Sequence, residues 1–103
     1  MQNINPTELQ EKIESGCPIF LKLWKKGCGA CKLSVPAIER LEAAHGETVS
    51  FVQILTDDHP DILEITESEV LPAFYVFKDK SMVGSQVGFK GIKGLESLIS
   101  MIH

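Results

Sequence analysis

An almost continuous apolar segment at residues 18–24 constrains the fold of this chain more than any other feature. The segment is Pro-Ile-Phe-Leu-Lys-Leu-Trp, whereas a strand with one face in water would alternate apolar and polar residues. We therefore predict a central strand that is covered on both faces, with Lys22 as its one charged residue. Such a strand requires helices on both sides of its sheet, which indicates the α/β class.

Helices and strands alternate along the rest of the chain. Asn5, Pro6 and Glu8 predict the start of a first helix, and Gly16 its end. The other expected elements are a vestigial strand at residues 2–4, helices at about 31–44, about 60–67 and from about 92, and strands at 49–55, 73–77 and about 82–87. We predict one domain over residues 1–103, with a central mixed sheet of four to five strands and helices on both faces.

The apolar residues of each helix predict the face that packs on the sheet. The predicted inward residues are Leu33, Ala37, Leu41 and Ala44 in the second helix, Ile62, Leu63 and Ile65 in the third, and Leu95, Leu98, Ile99 and Ile102 in the last.

Two of the three cysteines lie close together, as Cys28-Gly29-Ala30-Cys31. Three cysteines are too few for the disulfide framework of a small secreted protein. The pair follows an apolar strand and opens a helix, a context that favours redox chemistry over the alternatives of a metal site or a pair of buried apolar residues. No second pair and no nearby histidine completes a zinc site. We therefore predict a redox pair that needs no metal and no organic cofactor.

The position of each cysteine predicts its role. The first-turn amides of a helix stabilise negative charge on Cys28, and the lysines around the pair act in the same direction. Cys28 lies on the loop before the helix and should be the more exposed sulfur, so we assign it as the nucleophile. Cys31, one turn into the helix, is then the resolving thiol.

Charge is distributed unevenly along the chain. The net charge is -4, yet the segment from Lys22 to Lys32 holds four lysines and no acid. A net negative chain without a block of like charges does not favour binding to nucleic acid. No apolar segment approaches the length that spans a membrane, and the N-terminal residues do not resemble a signal peptide. We therefore expect a cytoplasmic protein without membrane or nucleic-acid partners.

The segment from Trp24 to Lys32, Trp-Lys-Lys-Gly-Cys-Gly-Ala-Cys-Lys, resembles the active-site segment of the thioredoxin family. The resemblance extends over nearly the whole chain. Pro36 is similar to the kink proline after the cysteines, and the segment Val70-Leu71-Pro72-Ala73 to the loop whose proline is cis and faces the redox pair. Gly88 is similar to the glycine beside the substrate groove.

This resemblance implies a thioredoxin-like fold and a monomeric protein-disulfide reductase that is recycled by a thioredoxin reductase. Its substrates would be disulfide-containing proteins, bound by backbone pairing next to Pro72 and by apolar contact around Trp24. The substrate-binding residues that it implies are Trp24, Gly29, Ala30, Leu71, Pro72 and Gly88.

The chain departs from the family pattern at several positions. Gly27 replaces an aromatic residue, Ala30 a proline and Ala73 a threonine. Lys22 occupies the place of a buried aspartate that is credited with proton relay to the resolving cysteine. We therefore add Lys22 to the catalytic candidates Cys28 and Cys31. The alternative is that its stem passes the core and leaves the ammonium in water.

Other interpretations are less favoured by the sequence. The chain could be a thioredoxin-fold adaptor or processivity subunit whose redox activity is incidental, or an oxidase or isomerase that acts on substrates outside the cytosol. Cys17 is expected to be a small apolar filler. His45, His59 and His103 are expected at the surface.

Overall fold

A mixed sheet of five strands, with four helices around it, is formed by residues 1–68 and 70–103, the part of the chain that the computed structural model describes. In chain order the elements are β1 (Gln2–Asn3), α1 (Pro6–Glu14), β2 (Ile19–Trp24), α2 (Gly29–His45), β3 (Ser50–Leu55), α3 (Asp61–Ile65), β4 (Ala73–Lys78), β5 (Ser81–Val87) and α4 (Ile92–Ser100).

The strand predicted to be central is central. The order of strands is β1-β3-β2-β4-β5, with β2 parallel to β3 and antiparallel to β4. All residues of β2 except Trp24 are buried. The vestigial first strand pairs in parallel with β3, and β4 and β5 form an antiparallel hairpin. These pairings confirm the predicted mixed sheet.

Two hydrophobic cores cover the two faces of the sheet, because alternate residues of β2 point to opposite sides. On one side Ile19, Leu21 and Leu23 pack in a core with Leu9 of α1 and Ile62 of α3. On the other side Phe20 packs in a core with residues of α2 and α4. Lys22 is two residues from Phe20 and therefore belongs to the α2 side.

Helix α2 differs from its prediction in both its start and its inward face. It begins at Gly29 rather than near residue 31, because Cys28 itself serves as the N-cap. Its buried residues are Cys31, Ser34, Ile38 and Leu41, which recur at helical spacing from the second cysteine. The prediction was wrong for Leu33, which is 71% exposed, and for Ala44, which is exposed.

The third helix is shorter than predicted, while the last helix packs as predicted. Only five residues are helical in α3, so a single turn meets the sheet. Ile62 is buried there, whereas Ile65 is 72% exposed, which corrects its predicted inward orientation. In the C-terminal segment all four predicted residues, Leu95, Leu98, Ile99 and Ile102, are buried.

The start of α1 has the predicted capping box. The Asn5 side chain accepts a hydrogen bond from the Glu8 N–H at 2.8 Å, and the Glu8 carboxylate accepts one from the Asn5 N–H at 3.1 Å. We predict that Asn5→Ala lowers the free energy of unfolding by about 1 kcal/mol in urea titrations, because an orphan helix amide loses its acceptor. Asn5→Ser supplies another acceptor and is the control. Equal midpoints for the parent and the alanine variant would contradict this prediction.

Candidate active site

The two closely spaced cysteines form a disulfide at the start of α2. Cys28 and Cys31 are bonded, with their Cα atoms 5.2 Å apart. Cys28 is 8% exposed and Cys31 2%, the order expected from the sequence. The backbone N–H of Cys31 donates a hydrogen bond to Cys28 Sγ at 3.1 Å. The first sulfur is therefore the acceptor that caps this helix.

The capping position gives the first sulfur an electrostatic environment that suits a thiolate. The unpaired amides at a helix N-terminus carry partial positive charge, and α2 is 17 residues long. An amide donor aimed at a sulfur stabilises the ionised form more than the neutral thiol. When the disulfide is reduced, the helix start therefore favours a thiolate at Cys28.

A proline loop lies beside the first sulfur. The Leu71–Pro72 peptide bond is cis, as the resemblance implied. The Leu71 carbonyl oxygen lies 3.9 Å from Cys28 Sγ. Gly88, which has a φ of +80°, donates its N–H to the Pro72 carbonyl at 2.7 Å. The structure thus brings Leu71, Pro72 and Gly88 together with the redox pair.

The tryptophan at the end of β2 forms hydrogen bonds through both its side chain and its backbone. Trp24 Nε1 donates to Asn3 Oδ1 at 3.3 Å. Its backbone carbonyl accepts from the N–H and the hydroxyl of Thr56, at 2.8 and 3.1 Å. The ring is half-buried and borders a groove that Cys31 also lines. Gly29 and Ala30 are exposed in the first turn of α2, between the two cysteines.

Lys22 reaches the resolving cysteine from the central strand. Its side chain is 3% exposed, and Nζ donates to the Cys31 carbonyl at 3.0 Å. Burial lowers the pKa of the Lys22 ammonium below 10.5, its ordinary value. The ammonium therefore does not extend into bulk water, which had been the alternative interpretation of this residue.

Ser34 is part of the site and was not identified from the sequence. Its hydroxyl donates to the Cys31 carbonyl at 2.7 Å, so this oxygen accepts hydrogen bonds from both Ser34 and Lys22. The side chain is fully buried in α2. A polar residue three positions after Cys31, on the face that packs on the sheet, was the available indication.

An open groove of about 410 Å³ lies beside Cys31, the second cysteine of the redox pair. Its lining includes Trp24, Cys31 and all four lysines of the segment from Lys22 to Lys32. The uneven charge of the sequence thus becomes a local concentration of lysines beside Cys31.

The other residues considered from the sequence are Cys17 and the three histidines. Cys17 is a free, half-buried cysteine whose Sγ lies 3.5 Å from the Lys12 carbonyl. His103 is exposed as predicted, whereas His45 and His59 are half-buried. Within residues 1–68 and 70–103, no three side chains of the types that ligate metals are grouped together. None of the helices described is both long and apolar enough to cross a membrane.

A disulfide at a helix start, next to a cis-proline loop on an α/β sheet, defines a thiol-disulfide oxidoreductase site. The thioredoxin family model matches residues 1–102, and the chain belongs to the thioredoxin family. It is 28% identical over 79 residues to thioredoxin 1 of Synechococcus elongatus, covering 77% of this chain and 74% of that protein. It is 27% identical over 96 residues to thioredoxin of Staphylococcus aureus, covering 93% and 91%.

The fold is similar to that of solved thioredoxins. The oxidised form of mitochondrial thioredoxin 3 from Saccharomyces cerevisiae superposes with a TM-score of 0.88 at 28% identity, covering 97% of this chain and 93% of that one. Family, fold and cysteine pair make this chain a protein-disulfide reductase. The adaptor alternative is not favoured. Family membership implies disulfide-containing protein substrates and a reductase partner.

Proposed function

We propose that Cys28 attacks the disulfides of substrate proteins and that Cys31 resolves the mixed disulfide. The observation that carries this assignment is the hydrogen bond from the Cys31 N–H to Cys28 Sγ, which stabilises charge on the more exposed of the two sulfurs. The thiolate is the nucleophile in disulfide exchange, so the sulfur whose ionised form is stabilised attacks first.

The exchange transfers two electrons from the cysteine pair to the substrate, which takes up two protons. One proton comes from Cys31, and the other comes from solvent, to which Cys28 lost its proton on ionisation. The Cys28 thiolate forms a bond to one substrate sulfur while the substrate S–S bond breaks, and the departing thiolate takes up a proton. Cys31 then loses its proton, and its sulfur attacks Cys28 Sγ and releases the second substrate thiolate. The substrate is reduced to two thiols and the pair is oxidised to its disulfide. Neither step requires a metal or an organic cofactor.

The proposed substrate-binding site consists of the surfaces next to Cys28. An extended substrate segment pairs with the backbone at Leu71 and Pro72, and Gly88 holds this loop in place. Trp24 supplies an apolar wall, and Gly29 and Ala30 leave the first turn of α2 free of bulky side chains. The 3.9 Å separation between Cys28 Sγ and the Leu71 carbonyl oxygen supports this arrangement.

Lys22 is proposed to exchange the proton of the resolving thiol. Cys31 must ionise before it attacks, and the only acid-base side chain bonded to its backbone is Lys22 among the residues described. Burial lowers the pKa of this lysine and so increases the fraction of neutral amine that can accept a proton. The residue thus replaces the aspartate that the family pattern places here.

We also propose that residues 1–103 form a single domain that works as a monomer in the cytoplasm, with a thioredoxin reductase as electron donor. A disulfide reductase must be recycled, and a reducing compartment supplies the electrons. The single sheet and the family match over residues 1–102 support the single domain. Sedimentation analysis tests the monomer, and NADPH-coupled reduction by a thioredoxin reductase tests the donor.

The assignment of Cys28 predicts selective alkylation. After full reduction, brief treatment with iodoacetamide near neutral pH should label Cys28 well before Cys17 or Cys31, because only Cys28 has its thiolate stabilised by the helix start, and it is also more exposed than Cys31. Peptide mass mapping measures the order of labelling. The Cys28→Ser variant is the control and should label slowly at both remaining cysteines. Faster labelling of Cys31 or Cys17 in the parent would contradict the assigned roles.

A further inference from the structure

The groove beside Cys31 carries a concentration of positive charge, because four lysines line it. We infer that this groove binds acidic segments of substrate proteins through Lys25, Lys26 and Lys32, an inference that rests on the proposed reductase function. The inference names which protein disulfides the site prefers: those flanked by aspartate or glutamate.

The three lysines are available to a partner. All three are exposed, and none forms an ion pair with an acidic side chain among residues 1–68 and 70–103. The Asp57 carboxylate does lie close to them, but it accepts its hydrogen bond from the backbone N–H of Lys26, at 3.1 Å. The ammonium groups at the rim of the groove therefore remain free to bind an anion.

The groove borders one cysteine of the pair. Trp24 and Cys31 line the groove together with the three lysines, so a chain segment that lies in it is adjacent to the Cys31 end of the disulfide. The half-buried Trp24 ring gives this surface an apolar wall beside the positive rim. Such a combination suits a peptide with acidic and apolar side chains close to its own cysteine.

An acidic peptide fits this surface better than a nucleic acid. Outside the segment from Lys22 to Lys32 the chain has a net negative charge, because the whole chain is at -4 while this segment holds four lysines. A polyanion longer than the groove would meet that negative surface, whereas a short acidic segment would not. Only the peptide also carries a disulfide to the sulfurs of the site.

Charge at the rim should act mainly on the rate of association. Complementary charges steer the encounter of two proteins, and salt screens this effect. The preference for acidic substrates should therefore be strong at low ionic strength and weak at high ionic strength. The ratio of the rate constants for an acidic and a basic substrate isolates this effect, because any change in the intrinsic reactivity of Cys28 affects both rate constants equally.

The test uses two peptides of equal length, each with one disulfide flanked either by glutamates or by lysines. The reduced protein is mixed with each peptide in single-turnover reactions, and second-order rate constants are measured. We expect the acidic peptide to react about tenfold faster at about 20 mM salt, and the two rates to converge at about 0.5 M. Lys25→Glu/Lys26→Glu should abolish or invert the ratio.

A matched control carries the same charge change away from the groove. Arg40→Glu/Lys80→Glu alters two exposed residues, one eleven positions beyond the start of α2 and one in the turn between β4 and β5. It should lower the ratio clearly less than Lys25→Glu/Lys26→Glu does, because charge effects weaken with distance from the groove even at about 20 mM salt, where the screening length is about 20 Å. A parent ratio near one, or an equal loss of the ratio in the control, would overturn the inference.

A second measurement separates this inference from the proposed function. Fluorescence anisotropy of cysteine-free acidic and basic peptides on the oxidised protein reports binding without any redox step. Equal binding of the two peptides would overturn the inference even if reduction is fast. Failure of the reduced protein to react with a small neutral disulfide, 2-hydroxyethyl disulfide, would contradict the proposed function, whatever the peptides do.

Discussion

A Cys31→Ser variant will accumulate a mixed disulfide between Cys28 and its substrate protein, whereas the parent will not. Attack by Cys28 survives the substitution, because the backbone N–H that caps its sulfur is still present. Resolution is lost, because serine cannot displace the substrate thiol. Turnover in an insulin reduction assay should fall to the background level, and nonreducing electrophoresis with mass spectrometry should identify the adduct at Cys28.

The companion variant separates attack from resolution. Cys28→Ser should form no adduct and should also lack turnover, because the remaining sulfur of the pair is 2% exposed at the base of the site. Cys17→Ser is the matched control and should retain parental turnover, since Cys17 is outside the pair. Trapping of substrate on Cys31 in the Cys28→Ser variant, with no adduct in Cys31→Ser, would reverse the assigned roles.

Replacement of Lys22 by methionine is expected to slow the reaction and to stabilise the fold. Loss of a proton acceptor next to Cys31 should lower the rate of disulfide reduction about 100-fold at neutral pH, at the lower end of the usual range for acid-base groups. The deficit should shrink at alkaline pH, where thiolate forms without assistance. Lys22→Gln keeps a donor for the Cys31 carbonyl but cannot exchange a proton, so it should be equally slow.

The stability of the same variant should depend on pH in a defined direction. Burial lowers the pKa of Lys22 in the folded protein, while the unfolded chain keeps a value near 10.5. Between these two values the unfolded chain binds more protons, so the stability of the parent rises with pH across that window. The stability of Lys22→Met does not have this pH dependence, because the variant has no ammonium at this position. We expect its free energy of unfolding to exceed that of the parent by about 1–2 kcal/mol at neutral pH, and this difference should decrease as the pH approaches 10.5.

Urea unfolding across this pH range measures the stability term, and alkylation and reduction assays give the rate profiles. If the pH profiles of all three proteins superimpose, Lys22 has no part in proton transfer. If glutamine restores the rate and methionine does not, the residue only positions Cys31 through the hydrogen bond to its carbonyl.

Much of the fold could be predicted because its determinants are local. The apolar segment at residues 18–24 marked the central strand, and the Asn5, Pro6 and Glu8 pattern marked the first helix. The inward face of α2 could not be predicted from its apolar residues. Leu33 is apolar but exposed, and Ser34 is polar but buried, because the side of the helix that meets the sheet is the one with Cys31, Ile38 and Leu41.

Most residues of the site could be predicted from the sequence, but the hydrogen bonds between them could not. The spacing of the cysteines and the proline loop identified the residues that the structure brings together at Cys28. The hydrogen bonds that meet at the Cys31 carbonyl depend on how β2 packs beneath α2. That packing is a tertiary contact, and no local pattern in either segment specifies it. Lys22 was therefore recognisable as unusual, while its partner was not.

The first sulfur of the pair is also the N-cap of a long helix, and this joins helix folding to chemical reactivity. A first turn that frays withdraws the amide from Cys28, and a first turn that is firm keeps the amide in place. Gly29 and Ala30 are exposed, and a Cβ at Gly29 would meet no atom within 4 Å. Substitutions there can strengthen or weaken the turn by up to about 1 kcal/mol without disturbing either core. The reactivity of this protein can thus diverge from that of its relatives through residues that need contact no substrate.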